Sequence, residues 1–517
     1  MAEIALELQE EKIGKELYSY QKGAIDQIFD KFETAPDDYH LLYQLPTGGG
    51  KTVIFSEIVR QYLKNHSKKV LVMTHRVELC RQTSGMLTSF NVQNKVVNST
   101  ANLDDQSDYS CFVAMVETLN NRLNDDKLDI SDIGLVIIDE AHYNSFTKLF
   151  KFFEKSFILG VTATPLSSNK NLPMKDNYDE LIAGESIEDL IKNRFLAQAE
   201  IFQYDMSLTS LEVGSNGDYT VKSSEDLYTT NNMLDQLLNA YRGHAKGKKT
   251  LIFNNGINTS IQVYYTFKAA GYPIAHLDNT ATKKQRKQIL DWFKETPDAI
   301  LTSVSILTTG FDEPTIDAII LNRATKSLTL YYQMIGRGSR ILDDKSKFSV
   351  IDLGNNTHRF GPWGANLDWQ TIFKSPNFYM DRLLDDDELE SNFRYKMPEP
   401  IRVQFAKSEE VYFDIIATYK DAVANGESSK VVLERSLVHH VKICVENSED
   451  VYDALALAKL LNDDIDHRIH KYAKCISKST HNFLTWLKED YQKKLNAYLR
   501  KNFDQIFEEI HGYPPEE

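Results

Sequence analysis

Cysteine is scarce in this chain of 517 residues, which has only Cys80, Cys111, Cys444 and Cys475. None forms a C-x-x-C pair, so neither a zinc cluster nor a disulfide framework is indicated, and a reducing cytoplasm is the expected setting. Long apolar runs are missing as well. No stretch approaches the roughly 18 uninterrupted apolar residues of a membrane span. The opening segment, MAEIALELQEEKIGKEL, is too acidic for a signal peptide. Positive charge is in deficit: 59 Lys and Arg against 74 Asp and Glu leave a formal net charge of −15. That balance argues against a nucleic-acid coat held by bulk charge. It leaves room for a protein that follows a nucleic-acid backbone with a few cations lining one groove. The remaining composition, 42% hydrophobic and 26% charged, is that of an ordinary globular protein. At roughly 150 residues per domain the length suggests about three domains.

The most informative short stretch is LPTGGGKTVIF at residues 45–55. Gly50, Lys51 and Thr52 end the phosphate-binding pattern G-x-x-x-x-G-K-[ST], although Leu45 stands where its first glycine would be. Small residues let the backbone N–H groups of Thr47, Gly48, Gly49 and Gly50 curl around a β-phosphate, with Pro46 setting the start of the loop. Lys51 can bridge the β- and γ-phosphates, and the Thr52 hydroxyl can reach Mg²⁺. The helix expected over TVIFSEIVRQYLK points its positive end at the anion. A short apolar strand, HLLYQL, precedes the loop.

Residues 133–142 read IGLVIIDEAH. Four consecutive apolar residues, Leu135 to Ile138, suit a buried parallel strand. Its C-terminal end, where open α/β sheets bind ligands, carries Asp139 and Glu140. Asp139 suits a Mg²⁺ site. Glu140 suits the base that takes a proton from, or orients, a water attacking the γ-phosphate.

Further segments follow in a characteristic order: GVTATP at 160–165, ILTTGFDEP at 306–314, and YYQMIGRGSR at 331–340. With the phosphate loop and DEAH before them, residues 17–360 resemble the motor of a superfamily II DEAD/DEAH-type DNA helicase. The likeness is strongest to the RadD-type and XPB-type group, related to type I and type III restriction motors. The string LTTGFDEPTIDAIIL, followed by FSVIDLGNNTHRFG, is RadD-like.

The resemblance implies roles residue by residue. Gln21 would read the adenine edges. Thr74, His75 and Arg76, with Thr118, would contact the strand. His142, Thr162 and Thr164 would couple nucleotide state to the strand-binding face. Thr308, Gly310 and Asp312 would touch strand and nucleotide. Gln333, Arg337 and Arg340 would face the γ-phosphate from a second domain, where a guanidinium fork matches the charge that develops on the phosphoryl oxygens. ATP and Mg²⁺ are the implied cofactors. RadD-type relatives are expected to carry a cysteine cluster beyond the motor, and this chain has only Cys444 and Cys475 there, so no zinc is expected.

The expected architecture is α/β: a recA-like ATP-binding domain at 1–197, a second recA-like domain at 198–372, and a helical accessory domain at 373–517. Residues 205–230 read as a polar loop or small hairpin. Residues 373–517 hold 20 Lys and Arg against 27 Asp and Glu, a sign that is unusual for a nucleic-acid-binding domain. Within them, Leu484, Leu487, Tyr491, Leu495 and Tyr498 recur at helical spacing, predicting a long amphipathic helix. The pair His439-His440 lacks the companions of a nuclease and is expected on the surface or in the core. The expected partners are DNA, single-stranded or forked, and a protein docked through the C-terminal domain; no membrane is expected. One alternative is a restriction or phage-defence motor that moves DNA for a separate nuclease. Another is an RNA helicase, disfavoured by Thr162-Ala163-Thr164 where such proteins usually carry S-A-T. A scaffold without activity fits least, because the catalytic positions are filled.

Overall fold

The computed structural model describes residues 16–97, 108–124, 130–167, 172–208, 210–304, 307, 311–384, 386, 389, 397–476 and 481–511. The chain divides into two compact units, residues 1–386 and 387–517.

The first unit contains two parallel sheets. Strands β1 (His40–Gln44), β2 (Lys69–Thr74), β3 (Asn94–Val97), β4 (Cys111–Met115), β5 (Ile133–Asp139), β6 (Phe157–Thr162) and β7 (Glu180–Ala183) form a seven-stranded sheet in the order β3-β4-β2-β5-β6-β1-β7. Strands β8 (Gln198–Gln203), β9 (Thr250–Asn254), β10 (Ile274–Leu277), β11 (Ile300–Ser303), β12 (Ala318–Asn322) and β13 (Lys347–Asp352) form the second, ordered β10-β11-β9-β12-β13-β8. Both sheets bury two faces, which is why their strands read as apolar runs rather than alternations. In β5 all seven residues are buried. Leu135 and Ile137 face one core, Val136 and Ile138 the other. In β9, Leu251 and Phe253 lie in one cluster and Ile252 in the opposite one.

Register then gathers the chemistry at one edge. Strand β6 pairs with both β1 and β5, with Thr162 opposite Gln44 and Val161 opposite Asp139. The loop after β1, the acids ending β5 and the threonine ending β6 therefore emerge side by side.

The small hairpin expected within 205–230 is present, closed by a Val213–Tyr219 bridge, and the helix Val221–Tyr228, capped by the Thr220 hydroxyl, follows it. One expectation is revised by the packing. The boundary expected at 372/373 falls inside the helix Trp369–Lys374. There Phe373 joins a core of the first sheet and the Gln370 Nε2 donates to the Leu181 carbonyl. Asp386 also belongs to this unit, accepting hydrogen bonds from Tyr219 and Arg359.

The second unit is helical, with Ile415–Ala424, Lys430–Glu446, Val451–Leu460, Asn462–Cys475 and His481–His511 packed around one core. The long last helix buries Leu487, Tyr491, Leu495, Leu499 and Phe503, as its spacing predicts, while Tyr498 is exposed. His440 is fully buried, which places it in the core. Its Nδ1 lies 2.9 Å from the Tyr491 hydroxyl and its Nε2 2.9 Å from Asp464 Oδ2. Arg468 donates to the same Asp464 oxygen at 2.7 Å.

Candidate ATP site at the junction of the two sheets

The phosphate loop is shaped by two glycines in conformations that L side chains avoid, Gly48 at φ 94° and Gly50 at φ 89°. Added β-carbons would collide: at Gly48 with Leu196 and Ser339, and at Gly50 with the Gln21 amide at 2.6 Å. From Gly50 the chain enters the helix Lys51–Asn65, whose N-terminus faces the loop. Leu45 fills the position of the missing glycine as a fully buried core residue and is in contact with Gly49. A core side chain supports the turn from beneath, which is how the loop keeps its form with an incomplete pattern.

Lys51 donates to the Leu45 carbonyl at 3.2 Å. Burial pulls its ammonium below the ordinary lysine value, against the opposing pull of Glu140 and Asp139. Asp139 is buried beside a second carboxylate; burial and the charge of Glu140 raise it well above the usual range. Burial acts on Glu140 in the same sense, but Lys51 foremost, with Arg337, outweighs it and holds Glu140 below its ordinary value. Glu140 adopts φ 55°, and its Oε2 is buried without a hydrogen-bond partner. Two adjacent buried carboxylates opposite a lysine, beside a glycine loop and a helix N-terminus, fit a nucleotide phosphate with a hard divalent cation. Thr52 and Asp139 would hold that cation.

The second sheet reaches into this loop. The Arg340 Nη1 donates to the Gly48 carbonyl at 2.7 Å while its Nε pairs with Asp312 at 3.0 Å. The Ser339 hydroxyl lies 3.5 Å from the Thr47 carbonyl. Arg337 is half-buried and donates to the Phe311 carbonyl at 2.6 Å; desolvation lowers its guanidinium to about 10, against the pull of Glu140.

A directional chain crosses the same junction. The Gln333 Nε2 lies 3.4 Å from His142 Nε2. An amide nitrogen can only donate, so His142 accepts there and carries its proton on Nδ1. That Nδ1 is 3.1 Å from the Thr162 hydroxyl and 3.4 Å from Glu140 Oε2. Thr162 in turn donates to the Thr164 carbonyl at 2.9 Å. The Thr164 hydroxyl crosses back to Thr329 at 2.8 Å.

Gln21 is buried and its Oε1 accepts from the Tyr18 N–H, closing the first turn of the helix Ser19–Thr34. Pro46 lines the start of the loop and is buried. The strand-facing set is less uniform. Thr74 is fully buried, its hydroxyl bonded to the Arg76 carbonyl and 2.9 Å from the Cys80 Sγ. Burial holds His75 down to about 4, so it is neutral. Arg76 and Thr118 are half-buried, Thr118 on the helix Val116–Asn124. Thr308 and Gly310 lie outside the described residues. Sequence reasoning missed Tyr20, whose hydroxyl donates to the Gly49 carbonyl at 2.7 Å, and Ser339 and Thr329 across the junction. Tyr20 adjoins Gln21 and Ser339 sits between the two arginines, so position was the available signal for both.

Residues 14–167 match the family of the type III restriction enzyme res subunit, and residues 229–342 match the helicase conserved C-terminal domain. A 51.5 kDa protein of a Lactococcus phage is 30% identical over 340 residues, covering 64% of this chain and 70% of the relative. A Saccharomyces cerevisiae protein assigned as the ATP-dependent helicase IRC3 is 31% identical, covering 68% of this chain and 54% of its own length. The EcoAI type I restriction endonuclease subunit of Escherichia coli is 23% identical over 75% of this chain and 51% of its own. The chain thus spans about half the length of several relatives it matches. Among solved structures, a fragment assigned to the HsdR subunit of a type I restriction enzyme from Vibrio vulnificus shares the fold. Its TM-score is 0.53 at 20% identity, covering 66% of this chain and 65% of that one. The chain belongs to the superfamily II helicases and is related to the motor subunits of restriction enzymes.

Proposed function

We propose that the protein is an ATP-dependent DNA helicase or translocase, in which hydrolysis drives movement along, or unwinding of, a DNA strand. The observation that carries this reading is the contact of Arg340 with the Gly48 carbonyl, together with Gln333 against His142. Groups from the second sheet meet the phosphate loop and the relay beside Glu140, so a change at the nucleotide is felt by both sheets.

In this mechanism Gln21 reads adenine, and the N–H groups of 47–50 with Lys51 hold the phosphates. Mg²⁺, when bound, neutralises charge on the β- and γ-phosphoryl oxygens. Glu140, kept ionised by the cations around it, accepts the proton of the attacking water. Arg337 and Arg340 meet the charge that builds on the transferred group. Because they stand on a different sheet from Lys51, the rate depends on the spacing of the two sheets. A strand that binds both halves, on the first through Arg76 and Thr118, would set that spacing.

The substrate we infer is single-stranded or forked DNA, in repair or recombination within the cytoplasm. A second reading, a motor for a restriction or phage-defence complex, is favoured by the likeness to the EcoAI subunit and the phage protein. It requires a partner nuclease that co-purifies with the chain. The deciding experiment compares ATP hydrolysis stimulated by single-stranded DNA, forked DNA and RNA. The proposal expects DNA to stimulate most; stimulation by RNA alone would overturn it.

A further inference from the structure

The geometry points to Tyr143 as a positioning residue that links the strand-facing segment to the catalytic acid, an inference that rests on the function proposed above. Tyr143 follows the DEAH residues, and its ring lies tilted against a histidine from each of two strand ends. Its ring centroid lies 4.0 Å from that of His75 at an interplanar angle of 32°, and 4.4 Å from that of His142 at 37°. The three rings form a continuous pile from the end of β2 to the end of β5.

Two features make the pile more than packing. Both ring nitrogens of His75 are buried without a hydrogen-bond partner. No polar contact fixes that ring, so its place is set by the tyrosine against it. Tyr143 is also tied to the acid: its backbone N–H donates to the Glu140 carbonyl at 3.2 Å, closing a turn that holds Glu140 at φ 55°. A non-glycine residue keeps such a conformation only while its surroundings impose it. The backbone bond persists whatever side chain stands at 143, so the ring is needed only to pass a shift of His75 to the turn that aims the Glu140 carboxylate.

The other end of the pile adjoins Arg76, the residue that precedes the helix Val77–Ser89. Arg76, Tyr143, His142 and Gln333 together line a cavity of about 370 Å³ between the two sheets. A strand pressing on Arg76 shifts His75, its neighbour in the chain. The rings carry that shift to Tyr143 and so to Glu140. Tyr143 touches neither nucleotide nor strand in this account; it aligns the acid when a strand is present.

The test uses the full chain with Tyr143→Leu, which removes the ring, and Tyr143→Phe, which keeps it. ATP hydrolysis is measured with and without saturating oligodeoxythymidylate, with the half-saturating oligonucleotide concentration and the affinity for a fluorescent ATP analogue. Tyr143→Leu should lower the strand-stimulated kcat about tenfold, the scale on which residues along a coupling path act. Basal rate, half-saturation and analogue affinity should stay unchanged, and Tyr143→Phe should restore stimulation. Three results overturn the inference: full stimulation in Tyr143→Leu, a proportional fall in basal and stimulated rates, or a Tyr143→Phe as deficient as the leucine variant. Failure of wild type to respond to any strand strikes at the proposed function instead, and is read in a separate sample.

Discussion

Arg340 and Gly48 lie 292 residues apart in the chain and are joined by a 2.7 Å hydrogen bond from guanidinium to backbone carbonyl. The bond ends in the loop whose shape decides whether phosphate is gripped. Residues that hold nucleotide and residues that complete its chemistry are thus on separate sheets, and the predictions below follow from that division.

The buried acids should separate binding from turnover. Glu140→Gln preserves the shape of the side chain but cannot accept a proton, so nucleotide binding should persist while kcat falls by about 10²–10⁴, the usual contribution of a general base. Lys51→Ala should weaken both, because the lysine faces the phosphates in ground and transition states alike. Binding of a fluorescent ATP analogue alongside steady-state hydrolysis distinguishes the two variants. Near-normal turnover in Glu140→Gln would show the base to lie elsewhere.

Gly336 offers a purely steric test of the junction. A β-carbon there would sit 2.6 Å from the Thr47 Cβ, although the local φ of −58° is one that alanine adopts freely. Gly336→Ala should leave folding intact yet hold the second sheet off the phosphate loop. A displacement of about 1 Å can cost about 10² in rate, and a loss of that order in strand-stimulated hydrolysis is expected. A melting temperature equal to wild type, with hydrolysis lost, is the predicted pair of results.

The helical unit should be acid-labile. Burial lowers His439, His440 and His467 to about 4 in the folded protein. The unfolded chain takes up protons at the ordinary value of about 6.5, so protonation favours unfolding between roughly pH 6.5 and pH 4. The stability these residues contribute is complete above that window and is lost as pH falls through it. Asp464, held below the ordinary carboxylate range against its burial by His440 and Arg468, adds a loss at still lower pH. Circular dichroism melts from pH 7.5 to pH 4.5 should show helicity lost at progressively lower temperature. Asp464→Ala should destabilise by about 3–5 kcal/mol at neutral pH, as removing one partner of a buried ion pair does.

Much of the first sheet was legible from local pattern. Leu135–Ile138 suited a strand buried on both faces, and Gly48 and Gly50 beside Lys51 took φ values that glycine alone supplies cheaply. The long helix at 481–511 was legible for the same reason, since its apolar residues repeat at helical spacing. Contacts that close the site were not. Nothing near Arg340 points to Gly48, and nothing near Thr164 points to Thr329, because both pairs depend on how two sheets pack. The buried polar group around His440 was equally hidden: its partners Asp464 and Tyr491 come from two other helices.

The most direct test of the account is the rate of ATP hydrolysis with and without single-stranded DNA for wild type, Arg337→Ala and Arg337→Lys. An arginine finger is worth about 10³–10⁵ in phosphoryl-transfer rate, so Arg337→Ala should abolish strand-stimulated hydrolysis while ATP affinity falls only modestly. Arg337→Lys should not rescue it, since an ammonium lacks the planar fork. Stimulation that survives in Arg337→Ala would contradict a site completed from the second sheet.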